Sequence, residues 1–177
     1  MAIQELLDVM AKGLERHATL LGAALPRVSS EGLVVAICAE AFLDESSKTL
    51  SITAQPVPFE ANIEVRKRDL TVTDAAGTYD LEFKCLWPGG LHENVIGISR
   101  DLEKLSEAKL SNGYVVAFAY ALKTTPDRSR YRAVGDLSTL VIDATKRINR
   151  KPSATSKNVC IAAHGCVADA QLVAWKA

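Results

Sequence analysis

The sequence predicts an α/β fold, with a mixed central sheet flanked by helices. Three observations carry that prediction. Apolar residues recur at helical spacing over residues 3–24 and again from about 29 to 44. A period of two takes over across residues 63–87. Helical spacing then returns just ahead of the unbroken apolar run YVVAFAYAL at 114–122.

The first segment places Ile3, Leu6, Leu7, Met10, Leu14 and Leu21 three, four and seven apart, which predicts one amphipathic covering helix ended by Pro26. The second begins at a Ser29-Ser30 cap, with Leu33, Val34, Ile37, Cys38, Ala41 and Phe42 on one stripe. Leu50, Ile52 and Ala54 alternate before Pro56 and Pro58, predicting a short edge strand. Ile98, Leu102, Leu105 and Leu110 predict a further helix, stopped by Asn112-Gly113. The run 114–122 reads as a strand buried on both faces, so strand, helix and strand form a parallel crossover. Residues 124–135 read as a polar loop, 136–149 as a helix, and 158–175 as two short strands around His164-Gly165.

The period-two stretch holds the chemistry. A turn at residues 74–77 makes it an antiparallel hairpin in which Thr73 faces Thr78, Asp69 faces Glu82 and Lys67 faces Lys84. Leu70, Val72, Leu81, Phe83 and Cys85 then share the core side. Lys67, Asp69, Thr71, Asp80, Glu82 and Lys84 share the other. Opposed carboxylates sit with Cβ atoms about 5 Å apart and repel unless a cation or a shared proton lies between them. A hard divalent cation with oxygen ligands, Mg²⁺ or Mn²⁺, resolves that conflict. Lys84, two residues beyond Glu82, is placed to hold or help deprotonate an attacking water. The plain reading is a solvated strand pair whose acids are neutralised by Lys67 and Lys84 without a metal.

Composition sets the frame. With 177 residues, 48% hydrophobic and 24% charged, the chain is long enough for one well-packed domain and short for two. No run approaches the roughly 18 apolar residues that span a bilayer, and the N-terminus lacks a basic head followed by an apolar core, so a cytoplasmic protein away from membranes is expected. Cys38, Cys85, Cys160 and Cys166 lie scattered in apolar stretches and read as reduced core thiols. Formal net charge is zero, yet residues 1–60 carry 4 Lys and Arg against 8 Asp and Glu, and the rest 17 against 13. The basic excess concentrates in Arg66-Lys67-Arg68, in Arg128, Arg130 and Arg132, and around Lys146-Arg147 and Arg150-Lys151. Such runs are as often solvated surface as a nucleic-acid contact. His92, after the glycines of Trp87-Pro88-Gly89-Gly90, reads as a loop residue beside the hairpin.

The order helix, Asp69 on one strand, Glu82-Phe83-Lys84 on the next, helix, buried strand resembles the PD-(D/E)xK nuclease superfamily, over roughly residues 29–122. Arg68 stands where the motif's proline would be. The resemblance implies a restriction-endonuclease-like three-layer core and a metal-dependent nuclease hydrolysing phosphodiester bonds, with DNA ahead of RNA. It implies Asp69, Glu82 and Lys84 as catalytic residues. It also implies Mg²⁺ or Mn²⁺ bound by Asp69, Glu82, the backbone carbonyl of Phe83 and an acid from the preceding helix. Glu31 is the first choice for that acid, with Glu45 and Glu40 behind it. Arg100 and Lys104 would contact nucleic-acid phosphates, or else pair with Glu103 and Glu107 on their own helix. A homodimer is expected by analogy with small duplex-cutting enzymes. The rival is a catalytically silent member of the same fold that binds protein or nucleic acid, as an immunity, adaptor or regulatory protein does.

Overall fold

The computed structural model describes residues 2–24, 31–45, 51–54, 69–74, 77–126, 128–163 and 165–177. Helices α1 (Ile3–Arg16), α2 (Ala18–Ala24) and α3 (Glu31–Glu45) lead into strands β1 (Ser51–Ala54), β2 (Leu70–Asp74) and β3 (Gly77–Leu86). Helix α4 (Leu91–Glu107) and strand β4 (Gly113–Thr124) follow, then α5 (Leu137–Ile148), β5 (Ala154–Thr155), β6 (Val159–Ala163) and β7 (Cys166–Lys176). The seven strands form one mixed sheet in the order β1-β2-β3-β4-β7-β5, with β6 also paired to β7. Among the described residues no helix is long and apolar enough to cross a membrane.

The hairpin register is the one the alternation predicts, with Thr73 opposite Thr78 and Leu70 opposite Leu81. Asp74 and Gly77 also pair, with Gly77 at φ +140°, a value glycine reaches without the Cβ clash that other residues suffer. Strand β3 runs parallel to β4, and β4 runs antiparallel to β7.

Alternation along β4 divides the interior in two. Tyr114, Val116, Phe118, Tyr120 and Leu122 join the cluster built with α1, α2 and α3, whereas Val115, Ala117, Ala119 and Ala121 join the one built with α4 and α5. Three alanines on that second face let α4 and α5 approach the sheet closely. Strand β7 repeats the division, sending Leu172 and Ala174 to the first cluster and Val173 and Trp175 to the second. Helices therefore cover both faces, which is why β4 is apolar at nearly every position.

Several boundaries differ from expectation. The first helix is two, broken at His17 (φ −101°, ψ 19°). The break turns α2 toward β6, where a Cβ on Gly22 would lie 2.7 Å from that of Ala163, and the His17 Nε2 atom sits 2.8 Å from Glu40 Oε2. Helix α4 begins at Leu91, well before Ile98, and ends at Glu107, with Lys109 in the left-handed region (φ 53°). The Pro88-Gly89-Gly90 signal is a 3₁₀ turn that leads directly into α4, so His92 is an exposed residue of that helix and not of a loop. The supposed polar loop contains a 3₁₀ turn over Arg128–Ala133. Helix α5 matches closely: the Asp136 carboxylate caps it by accepting from the Thr139 N–H at 2.7 Å, and Asn149 closes it at φ 56°. The C-terminal strand is long and central, because β4 occupies one of its edges while β6 and β5 share the other. None of the four cysteines is in a disulfide, and Cys160 is exposed, unlike the core residue expected. The Ser29-Ser30 cap, Leu50, Arg66, Lys67, Arg68 and His164 lie outside the described residues.

Helix α1 crosses α3 at Gly13, where an added Cβ would sit 2.7 Å from that of Ala41 and 3.2 Å from the Ile37 carbonyl oxygen. Gly13→Val is expected to force the helices apart and to cost about 1–3 kcal/mol. A urea melt followed by circular dichroism measures it, and an unchanged midpoint would mean that this crossing is not tightly packed.

Candidate functional site

The candidate site forms where β3 meets the first turn of α3 and the middle of α4. Strand β3 turns Leu81, Phe83 and Cys85 into the first cluster, so Glu82 and Lys84 face the side of α4. Helix α3 is apolar around most of its circumference because it is packed between α1 and the sheet. Its contact with β3 brings Glu31 alongside Lys84. Helix α4 passes the lysine stem at Gly97, where even an added Cβ would lie 3.5 Å from Lys84 Cδ.

Lys84 is the hub. Its Nζ donates to Glu31 Oε1 at 3.1 Å and to the Phe83 carbonyl at 2.9 Å. It also lies 3.1 Å from Asp101 Oδ2, an ion pair without the alignment of a hydrogen bond. Burial pushes the Lys84 ammonium down, but the facing Glu31 and Asp101 carboxylates push it up further, and the net displacement is upward.

Asp69 stands one residue before β2, at a bend, and its Oδ2 accepts from the Phe83 N–H at 2.7 Å. That bond ties the first acid to the strand bearing Glu82 and Lys84. Glu82 is 5% exposed, and its Oε1 accepts from Lys104 Nζ at 2.8 Å. Burial drives the Glu82 carboxyl above the usual carboxylate range. The Lys104 hydrogen bond opposes the rise, and nearby Asp69 adds to it. Glu31 is raised for the same leading reason, burial, with Lys84 opposing and Asp69 and Asp101 adding.

Of the residues singled out from sequence, Asp69, Glu82, Lys84 and Glu31 come together here, with the Phe83 backbone between them. Glu40 does not, since it is exposed and paired with His17. The Glu45 side chain lies outside the described residues. Arg100 is exposed on α4. Lys104 reaches Glu82 across the helix–sheet junction, a partner outside both expectations for it, nucleic-acid phosphates or Glu103 and Glu107 of its own helix. Asp101 is a member that sequence reasoning missed. Its signal was the three-residue spacing to Lys104, which puts both on one face of a helix.

Carboxylate and carbonyl oxygens are the donors a hard divalent cation takes, so Asp69, Glu82 and the Phe83 carbonyl suit Mg²⁺ or Mn²⁺ in kind. As arranged, lysine ammoniums and a backbone N–H satisfy these oxygens. Among the described residues no three His, Cys, Asp or Glu side chains converge as a metal cage.

Fold and site define a mixed α/β chain carrying a part-buried lysine–carboxylate cluster on its central sheet. No protein-family model, curated protein or solved structure matches the chain.

Proposed function

We propose that the chain is a metal-dependent nuclease of the PD-(D/E)xK type that hydrolyses phosphodiester bonds, DNA ahead of RNA. The observation that carries this reading is Lys84 held among Glu31, Asp101 and the Phe83 carbonyl, on the strand that also bears Glu82. A surface ion pair needs no such enclosure. Perturbed acids clustered around one lysine are the kind of arrangement that catalytic sites require.

Asp69, Glu82 and the Phe83 carbonyl hold the cation in this reading, and Glu31 stands next to them through Lys84. A bound Mg²⁺ or Mn²⁺ would polarise the scissile phosphodiester and acidify the attacking water. Lys84, kept as an ammonium by its two acids, orients that water by hydrogen bonding and offsets negative charge developing on the phosphoryl oxygens. It acts as a fixed cation and not as the base. The Asp69–Phe83 hydrogen bond sets the distance between the first acid and the strand, so that substrate and nucleophile meet in a defined geometry.

The test is calorimetric titration of Mn²⁺ and Mg²⁺ into wild type and Asp69→Ala, with plasmid and single-strand cleavage on the same preparations. Binding and cleavage are expected in wild type and lost together in the variant. One observation favours a silent scaffold instead: Glu82, Glu31 and Asp101 each already have a lysine partner. Absence of metal binding by wild type, even with nucleic acid present, would select that reading.

A further inference from the structure

Lys104 is the odd member of the cluster. It projects from α4 with its side chain 49% exposed, yet its ammonium reaches the least exposed acid of the site, Glu82 Oε1, at 2.8 Å. Glu82 lies on the strand that holds Asp69 through the Phe83 N–H, so the ammonium occupies a carboxylate oxygen of the donor set that a divalent cation would need. A long flexible stem, a half-exposed position and one hydrogen bond make a contact that a more highly charged ion can displace. Once displaced, the ammonium remains tethered about one helical turn from the exposed Arg100, four residues earlier.

We infer that Lys104 leaves Glu82 when a divalent cation binds and transfers its ammonium to a phosphate of the nucleic-acid backbone, so that this substrate contact forms only when the site is loaded with metal. This rests on the nuclease reading. It assigns Lys104 a role that alternates between stand-in cation and substrate contact. Two consequences follow from competition and counterion release. Lys104 weakens metal binding in the absence of nucleic acid. It also contributes one phosphate contact, worth about 0.7–0.9 in the slope of log affinity against log salt, only in the presence of metal.

The experiment compares wild type, Lys104→Met and Lys104→Arg at pH 8. Calorimetry with Mn²⁺ alone is expected to show Lys104→Met binding several-fold more tightly than wild type, with Lys104→Arg close to wild type. Fluorescence anisotropy with a labelled DNA duplex, using Ca²⁺ as the cation to suppress turnover, is expected to give Lys104→Met a salt slope shallower by about one. In EDTA the slopes should coincide. Equal or weaker Mn²⁺ binding by Lys104→Met, or equal slopes in Ca²⁺, overturns the inference while leaving the nuclease reading intact. Wild type that binds no cation overturns both. If circular dichroism shows that Lys104→Met is unfolded, Lys104→Gln replaces it, because the amide can still hydrogen-bond Glu82 without carrying charge.

Discussion

Lys84→Met is expected to slow phosphodiester cleavage by about 10²–10³-fold while the chain stays folded and still binds Mn²⁺. The thioether side chain keeps the apolar stem that packs beside Gly97 and removes only the ammonium. Because Glu31 and Asp101 raise the lysine above its ordinary value of 10.5 despite burial, the ammonium persists through the neutral range. While the carboxylates stay ionised, the raised lysine contributes stability that is fully present below pH 10.5 and is lost as pH climbs through the higher folded value. Cleavage therefore should not rise near pH 10 as it would if the free amine were the base. Single-turnover rates on plasmid between pH 6 and 10, with metal affinity measured alongside, test both points. Cleavage by Lys84→Met within about threefold of wild type would remove Lys84 from the chemistry.

The second large effect is expected from Glu82→Gln: metal binding drops at least tenfold and cleavage disappears, yet the folded state becomes more stable at neutral pH. Burial, opposed by the Lys104 hydrogen bond and reinforced by Asp69, makes the ionised carboxylate less favourable in the folded chain than in water. Since the folded value is raised, the group's favourable contribution is complete below pH 4.5 and is lost as pH rises through the folded value. At pH 7 wild type bears that loss, and glutamine does not. The thermal midpoint of Glu82→Gln should exceed that of wild type at pH 7 by up to about 4 °C, with the difference shrinking toward pH 4. A lower midpoint at pH 7 would mean that the Lys104 bond outweighs burial, making Glu82 a structural residue. The acid is expected to sacrifice stability for function, as pre-organised sites commonly do.

Much of the hairpin was legible because its signals are local. Side chains alternate strictly along a strand, so one turn position settles which of Thr71, Asp80, Glu82 and Lys84 share a face, and the paired register follows from it. Strand β4 was legible because a run of apolar residues that long has to be covered on both sides. Helix α5 was legible through the helical spacing of Leu137, Leu140, Val141, Ala144 and Ile148, and the structure adds its caps, Asp136 and Asn149. Less was legible at α4, where a proline and two glycines suggested a loop although they form a 3₁₀ turn that continues into the helix. Starting α4 too late left Gly97, against which the Lys84 stem packs, outside the expected helix.

By itself the sequence determined the α/β class, the hairpin and its register, and the common face of Glu82 and Lys84, because these depend on periodicities within a few residues. Only the tertiary structure decided that Glu31 approaches Lys84 across 53 positions of chain, that Asp101 pairs with the same lysine, and that Lys104 pairs with Glu82. Those contacts depend on how α3 and α4 pack against β3. Packing is set by the volumes of Ala117, Ala119, Gly97 and their neighbours summed over two cores, a quantity that no local pattern encodes.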